Sequence, residues 1–374
     1  MAESEPIPDA TASYPREQIL ATLYGQAVGD AIGLLTEFLT KQEAKEHFGK
    51  VKKQLELEHK DLCVDSHRKA WEEGDWTDDT DQMILILQSL IDNDGQVIPA
   101  DFGGKLKTWS KKGFPELNDE RGIGLGRTTK AVLSHPEYPQ EAHKAAFDVW
   151  EANRRNIAPN GAVMRTSILG IHQYWDTDAV ADNAVAICKT SHHDPRCQAS
   201  TVAASVAISL MLRRQPRHIK KNGSYDIDRI IQECFQVASS KCLETDQQKK
   251  ELKKYLLCEK IQDLKLCELG KIGYTYKCLG CGFWALKQKD FRKALQTIVM
   301  EAGDADTNGA VAGALLACKL GMSALPVSWV SKLKHKDWLD DKIERFLNIL
   351  VRMKDGKTTT TPVAADQSSQ DQEG

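Results

Sequence analysis

Apolar residues along most of the chain recur with the spacing of an α-helix. A four-residue spacing near the N-terminus, with Pro15 at its start, predicts a first helix on Ile19, Leu23, Ala27 and Ala31. Three later segments have the same pattern and predict helices at 83–90, 199–210 and 310–318. We find no alternation of apolar and polar residues long enough for a strand, and no repeat of fixed period. The pattern therefore predicts an all-α fold, a compact single-domain helical bundle.

The two ends of the chain are polar and lack this periodicity. Residues 1–14 and 355–374 are therefore predicted to be disordered, and residues 15–354 to form the folded domain. Within that domain, the charged stretch 246–265 predicts a peripheral amphipathic helix with a solvated face.

Charge and composition restrict the partners and the compartment. The 374-residue chain has 50 Lys plus Arg against 53 Asp plus Glu, a net charge of −3, so we expect neither direct nucleic-acid binding nor membrane binding. No apolar run reaches the roughly 20 residues of a membrane span, and the acidic N-terminus is unlike a signal peptide. Ten scattered cysteines are typical of free thiols in a reducing compartment. We expect a monomer in the cytoplasm, with the nucleus as the alternative.

A first acidic cluster lies just before the helix predicted at 83–90. Segment 75–81 reads Asp-Trp-Thr-Asp-Asp-Thr-Asp, so its carboxylates are crowded into two turns of chain. Mutual repulsion makes such a cluster costly to fold unless a cation or solvent relieves it. Helix capping and the helix dipole explain one or two of these acids but not easily all of them.

A second cluster has the same form and precedes the helix predicted at 310–318. Segment 301–309 carries Asp304 and Asp306 among glycine and alanine residues, whose small side chains allow both carboxylates to approach one point. The segment lacks the regular ligand spacing of an EF-hand calcium loop. Both clusters also contain threonines, and such hard oxygen ligands suit Mg²⁺ or Mn²⁺ rather than Zn²⁺. If the two helices pack side by side, the clusters share one cleft that can hold two cations.

Five segments of the sequence have recognisable motifs. The first segment is Gly-Gln-Ala-Val-Gly-Asp-Ala-Ile-Gly at 25–33, followed by Glu37. The others are Trp-Thr-Asp-Asp-Thr at 76–80, Asn-Gly-Ala-Val-Met-Arg at 160–165, Ser-His-His-Asp-Pro-Arg-Cys at 191–197 and Glu-Ala-Gly-Asp-Ala-Asp-Thr at 301–307. In this order they resemble the motifs of the ADP-ribosylglycohydrolase family, which includes the dinitrogenase-reductase-activating glycohydrolases and the animal ADP-ribosyl-acceptor hydrolases. Five ordered motifs are far more specific than any one of them.

The resemblance implies an all-α fold with a site for two magnesium ions, for which Mn²⁺ can substitute. Glu37 matches a glutamate that approaches the metals in some members. Glu37 and Asp304 are the candidate catalytic bases, and the sequence does not choose between them. The implied reaction cleaves the glycosidic bond between ADP-ribose and an acceptor, a protein side chain or a small molecule, and releases ADP-ribose. The implied metal-site positions are Thr77, Asp78, Asp79, Asp304, Asp306 and Thr307.

Four segments, two of them among the five motifs, are candidates for binding the rest of ADP-ribose. The glycine-rich segment 122–126 offers backbone amides to a diphosphate, although a plain loop fits equally well. No strand precedes it, so a dinucleotide-binding fold is rejected. The Asn-Gly pair at 160–161 is otherwise a simple turn, and the histidine of the 191–197 motif is otherwise a helix cap or a surface residue. A tyrosine after Gly273 offers a ring for adenine, core or rim packing being the alternative. These candidate ADP-ribose contacts are Gly122, Gly124, Asn160, Gly161, His192 and Tyr274.

Two other functions stay open. A non-catalytic ADP-ribose-binding protein would keep the fold without turnover, but the complete set of metal-site residues favours an enzyme. A two-metal hydrolase of another nucleotide, or of a guanidino compound, would use the same ions on a different substrate. The sequence does not decide the acceptor linkage, whether polymer is cleaved, or the role of residues 215–270.

Overall fold

The computed structural model describes residues 14–49, 54–58 and 63–356. The predicted disordered ends lie outside these residues, apart from Tyr14, Asp355 and Gly356. The described residues contain sixteen α-helices and no strand, only three isolated β-bridges, so the all-α prediction is confirmed. No helix among them is long and apolar enough to cross a membrane.

The α-helices of the described residues follow one another through loops of different length, and six of these loops contain a 3-10 turn. Their bounds are α1 Arg16–Gly33, α2 Lys41–Phe48, α3 Asp78–Asp92, α4 Pro99–Lys112, α5 Arg127–Leu133, α6 Ala142–Ala152, α7 Ser167–Ile171, α8 Thr177–Lys189, α9 Pro195–Arg213, α10 Ile227–Cys242, α11 Asp246–Leu256, α12 Thr275–Leu286, α13 Phe291–Val299, α14 Ala305–Leu320, α15 Val327–Ser331 and α16 Lys336–Lys354.

The four helices predicted from apolar spacing all form, as α1, α3, α9 and α14. Two of them begin earlier than the apolar residues indicate. α3 begins at Asp78 and α14 at Ala305, so the acidic residues belong to the first turns of these helices. The predicted amphipathic helix at 246–265 is shorter than expected. α11 ends at Leu256, and a 3-10 turn then buries Ile261 and Leu264.

Helices α1 and α14 lie in the centre of the fold and make an unusually close contact. An ideal Cβ placed on Gly29 would lie 2.1 Å from the carbonyl oxygen of Gly309. Similar distances recur one turn earlier, where a Cβ on Gly25 would lie 2.4 Å from the Gly313 oxygen, and one turn later at Gly33. Only glycine lets two helix backbones approach so closely. α12 packs on the other side of α14, and both helices are buried along nearly their whole length.

Candidate metal centre and active site

The first turns of α3 and α14 meet beside the C-terminal end of α1. Thr77, the N-cap of α3, lies with its hydroxyl 3.2 Å from Oδ2 of Asp306 in the first turn of α14. Thr307 Oγ1 lies 3.3 Å from Oδ2 of Asp79, which belongs to α3. The two acidic clusters therefore occupy one site, although more than 200 residues separate them in the chain.

Asp30 of α1 is the central carboxylate that the sequence reasoning missed. It is fully buried. Its Oδ1 accepts hydrogen bonds from the backbone N–H and the hydroxyl of Thr77, at 3.1 and 2.8 Å. Its Oδ2 accepts the same pair from Thr80, at 2.9 and 2.6 Å. Asp30 thus fixes the start of α3 against α1. In the sequence, the one signal of this role is that an acidic residue lies among the glycines of the first predicted helix.

Five carboxylates form two overlapping groups. Oxygen atoms of Asp30, Asp79 and Asp306 lie within 4.8 Å of one another, and so do those of Glu37, Asp304 and Asp306. Asp306 belongs to both groups. Each group offers hard anionic oxygens at a spacing that one divalent cation can bridge.

The electrostatics of these groups fit a bound cation. Burial raises the pKa of Asp30 and of Asp304 to about 6. Burial, with the repulsion of neighbouring carboxylates, raises the pKa of Asp79 and Asp306 well above the usual range. Oδ1 of Asp79 and Oδ1 of Asp306 are also buried without a hydrogen-bond partner. A divalent cation would satisfy both oxygens and offset the repulsion, so the residues present fit the metal that the family resemblance implies.

The remaining acids of the first cluster, Asp75, Asp78 and Asp81, lie outside the two carboxylate groups. Asp78 Oδ2 accepts a hydrogen bond from Gln82 at 2.7 Å, and Gln82 in turn accepts from the buried Arg165 at 2.7 Å. Asp81 accepts from two indole N–H groups, at 2.8 and 3.2 Å, and so ties α3 to α4. Asp75 lies beside Lys334 and His335, at 3.6 Å from each. Of these three acids, only Asp78 lines the cavity described next.

A cavity of about 360 Å³ opens above the carboxylates. Asn160 connects the side of the cavity to the carboxylates, because its side-chain amide donates a 2.7 Å hydrogen bond to Oδ2 of Asp304. The residues around the cavity are Glu37, Phe38, Asp78, Asp79, Gly124, Gly126, Arg127, Thr128, Thr129, Pro159, Asn160, Gly161, Met164, His192, Ile272, Gly273, Asp304, Asp306 and Thr307. Those at 127–129 and 272–273 were not predicted from the sequence, since no motif marked them.

Four of the six predicted ADP-ribose contacts line this cavity, namely Gly124, Asn160, Gly161 and His192. Gly124 has a φ of +102°, and a Cβ there would lie 2.2 Å from Oδ1 of Asp78, so this position needs glycine. A Cβ on Gly161 would lie 3.0 Å from the His192 ring. Both glycines keep the floor of the cavity accessible.

Gly122 and Tyr274 lie elsewhere. Gly122 packs against the Trp109 ring, and its N–H donates to the Trp109 carbonyl at 3.0 Å, so that amide is not available to a phosphate in the cavity. Tyr274 lines a second, adjoining cavity of about 750 Å³. Its hydroxyl donates to Glu251 at 2.7 Å, and the Arg196 guanidinium lies 5.8 Å from its ring.

His192 is a buried residue of the cavity wall rather than a helix cap or a surface residue. It is 3% exposed, and Asp194 is the residue that caps α9. Burial, with the nearby positive charge of Arg165, lowers the pKa of His192 to about 3, so its ring is neutral. Ser191 Oγ accepts from Arg165 at 2.6 Å and lies 2.8 Å from His192 Nδ1. The Ser191 hydroxyl can therefore donate its hydrogen bond to Nδ1, an arrangement in which the neutral imidazole carries its proton on Nε2.

Glu37 reaches the carboxylates from the loop after α1. Its backbone forms an isolated parallel bridge with Gly303, immediately before Asp304. Its side chain is buried and lies 2.6 Å from Nε2 of His67. His67 is 30 residues from Glu37 in the chain and belongs to none of the five motifs, so no sequence signal marked it.

Comparison with known proteins agrees with this architecture. An ADP-ribosyl-[dinitrogen reductase] glycohydrolase of Rhodospirillum rubrum is 24% identical over 349 residues, 90% of this chain and 96% of the relative. An ADP-ribosylarginine hydrolase, Tri1 of Serratia proteamaculans, is 23% identical over 325 residues, 86% of this chain and 77% of the relative. A solved structure described as an ADP-ribosylglycohydrolase-related protein complex superposes with a TM-score of 0.63 at 22% identity, over 90% of this chain and 99% of the other, and so shares the fold. Because the sequence model of the ADP-ribosylglycohydrolase family matches residues 11–357, nearly the whole length, the chain belongs to that family.

Proposed function

We propose that this protein is a magnesium-dependent hydrolase that cleaves the glycosidic bond between ADP-ribose and an acceptor and releases ADP-ribose. The observation that carries the proposal is the convergence of the two acidic clusters on one cavity, with buried oxygens of Asp79 and Asp306 that lack a partner. The matched relatives named as an ADP-ribosylarginine hydrolase and an ADP-ribosyl-[dinitrogen reductase] glycohydrolase support the same reaction class.

Two ions fit the two carboxylate groups. Asp30, Asp79 and Asp306 would hold one, and Glu37, Asp304 and Asp306 the other. The hydroxyls of Thr77 and Thr307 lie against the same carboxylates and complete the oxygen-rich surroundings. Such ligands suit Mg²⁺, with Mn²⁺ as a substitute. When bound, the ions would orient the ribose hydroxyls and make water a better nucleophile.

We assign proton acceptance to Glu37 and substrate orientation to Asp304. Asp304 accepts hydrogen bonds on both oxygens, from Asn160 at 2.7 Å and from Thr307 at 3.4 Å, and so is fixed in place. Glu37 enters from the opposite loop and lines the cavity. In the reaction, a water oxygen bonds to the anomeric carbon and gives a proton to Glu37. The bond from that carbon to the acceptor breaks through an oxocarbenium-like state, and its electron pair leaves with the acceptor atom, which takes up a proton from solvent while Glu37 returns its own proton to solvent.

The remainder of ADP-ribose would extend from this cavity into the adjoining one. The two cavities share Arg127, Thr128, Pro159, Ile272 and Gly273 as common walls. Arg127 places a cation between them, which suits a diphosphate. His192, through its Nε2 proton, is a donor toward the ribose. The ring of Tyr274 in the second cavity would then face the adenine.

For the acceptor, we propose an arginine side chain, because the Tri1 relative is named as an ADP-ribosylarginine hydrolase. The test is a panel of arginine-linked, serine-linked and small-molecule ADP-ribose conjugates, assayed with Mg²⁺ and with a chelator. We expect Mg²⁺-dependent release of free ADP-ribose from the arginine-linked substrate. Release from serine alone would refute the arginine acceptor. Phosphate, AMP or urea as the product would favour another two-metal hydrolase, and binding of ADP-ribose without any release would favour a non-catalytic reader.

Two variants separate the assigned roles. Glu37→Gln should remove turnover while ADP-ribose still binds in the presence of Mg²⁺, since the amide keeps an oxygen ligand for the ion but no longer accepts the proton. Asp79→Asn should weaken Mg²⁺ binding itself, measured by calorimetry. A Glu37→Gln enzyme with wild-type kcat would contradict the assignment of proton acceptance to Glu37. Asp304 would then be the candidate base.

A further inference from the structure

We infer that His67 is a positioning residue, which holds the Glu37 carboxylate in the orientation that the hydrolysis needs. The inference rests on the proposed function, because it concerns the residue to which proton acceptance is assigned. It starts from a 2.6 Å contact between His67 Nε2 and Glu37 Oε2. A carboxylate only accepts hydrogen bonds, so Nε2 carries the proton and donates.

The backbone of Glu37 is held by the residue next to His67. Arg68 is 1% exposed, and its guanidinium donates to the carbonyl oxygens of Leu35 at 2.9 Å and of Glu37 at 2.5 Å. On the opposite side, the Phe38 N–H donates to the Gly303 carbonyl at 2.6 Å. Two consecutive residues, His67 and Arg68, therefore bind the carboxylate and the carbonyl of the same glutamate.

The side chain of Glu37 needs such a partner. Its carboxylate lies within 4.8 Å of carboxylate oxygens of Asp304 and Asp306. Like charges at this distance repel, and a glutamate has three rotatable bonds by which to turn away from them. The hydrogen bond to His67 opposes that rotation. Because the His67 side chain is 28% exposed and that of Glu37 is 7% exposed, the contact lies at the boundary between solvent and the carboxylate cluster.

Phe38 restrains His67 from the solvent side. Its ring lies 4.9 Å from the His67 ring at an interplanar angle of 56°. Phe38 is 58% exposed and has a φ of +60°, which is unfavourable for an aromatic residue. Strained residues of this kind persist where the surrounding structure fixes them, and they cluster at functional sites. Here the strained backbone directs the ring across His67 at the mouth of the cavity.

The His67 ring is not needed to hold its own segment in place. Arg68 anchors that segment, both through the two carbonyls and through an ion pair with Asp65. The Asp65 carboxylate also accepts from the Arg68 N–H at 2.7 Å. Removing the ring should therefore leave the fold intact and free only the Glu37 carboxylate.

The test compares His67→Ala, His67→Gln and the control Lys69→Ala in the full-length protein at saturating Mg²⁺. Partners of this kind typically change activity by about 10–100-fold when removed. We expect His67→Ala to lower kcat by that factor, with KM and melting temperature close to wild type. Glutamine carries an amide donor at similar reach, so His67→Gln should recover most of the kcat. Lys69 is exposed on the same segment, and its replacement should change nothing.

Two kinetic outcomes would overturn the inference: a wild-type kcat in His67→Ala, or a His67→Gln enzyme as slow as His67→Ala. Crystal structures of the wild type and His67→Ala separate this inference from the proposed function. If the wild type hydrolyses no conjugate, the proposed function fails. The role of His67 is still tested in that case, because the two crystal structures show the orientation of the Glu37 side chain with and without the histidine ring. A Glu37 side chain turned away from Asp304 in the variant would support that role. An unchanged Glu37 would refute it.

Discussion

Gly29→Ala is the most direct test of how the α1–α14 contact supports the site. The added methyl group would lie 2.1 Å from the Gly309 carbonyl oxygen, whereas ordinary contacts begin at 3.4 Å. One helix must therefore retreat by up to 3.4 − 2.1 = 1.3 Å. Because the obstacle is backbone, no side-chain rotation relieves it. Overpacking of this kind costs roughly 3 kcal/mol at the upper end. Alanine returns about 1 kcal/mol of helix propensity, so we expect a net loss of about 2 kcal/mol.

The same displacement should reach the metal site, since Asp30 follows Gly29 directly. Its contacts with the Thr77 and Thr80 hydroxyls are 2.8 and 2.6 Å, and a shift of 1.3 Å carries both beyond hydrogen-bond distance. A misplacement of about 1 Å can cost on the order of 100-fold in rate. We therefore expect Mg²⁺-dependent turnover to fall by about that factor.

Urea unfolding and the ADP-ribose release assay measure the two effects. Gly104→Ala is the matched control, because Gly104 lies within α4 and a Cβ there would meet only the Pro139 side chain, at 4.0 Å. That variant should be as stable as wild type or up to about 1 kcal/mol more stable, with unchanged turnover. The reasoning is wrong if Gly29→Ala is as stable and as active as Gly104→Ala.

Two further predictions concern pH and the cavity mouth. Burial raises the pKa of Asp30 and Asp304 from 3.8 to about 6. Between these two pH values the metal-free folded chain therefore keeps protons that the unfolded chain has lost. The stability of the metal-free protein should fall as pH rises from about 4 to about 6, because both carboxyls must then ionise in a buried site. Bound Mg²⁺ should offset that loss, so chelation should lower the melting temperature more at pH 8 than at pH 5; equal shifts would contradict the metal assignment. Phe38, exposed at the mouth, should contact the acceptor side of the substrate. Phe38→Ala is expected to raise KM for an ADP-ribosylated protein more than for a small-molecule conjugate, and equal KM changes would contradict that role.

The convergence of the acidic clusters was predictable because each cluster is local to the start of a helix. Asp79 and Asp306 lie in the first turns of α3 and α14, so two helices side by side suffice to bring them together. The apolar spacing predicted both helices, and the order of the motifs indicated the family. What the spacing did not show is that α3 begins at Asp78, because its first turn contains polar residues whose partner is Asp30.

The glycine-rich segment 122–126 shows a different limit. Its alternating glycines look equivalent in the sequence. In the structure, Gly124 approaches Asp78 with a φ of +102°, whereas Gly122 packs on Trp109 outside the cavity. The two glycines differ in the tertiary contacts of their backbones, and residue spacing carries no information on those contacts.

Asp30 and His67 could not be assigned because their partners lie far away in the chain. Thr77 is 47 residues from Asp30, and Glu37 is 30 residues from His67. Gly29, next to Asp30, lets α1 lie against the backbone of α14, and the first turn of α14 contacts Thr77 through Asp306. The helix contact and the carboxylate cluster are therefore adjacent parts of one structural feature, in which glycines on α1 allow the close approach that places Asp30 beside the first turns of α3 and α14. We therefore expect residues without a functional group, such as Gly29, to influence activity in this fold, and the short distance between two helix backbones is what identifies them.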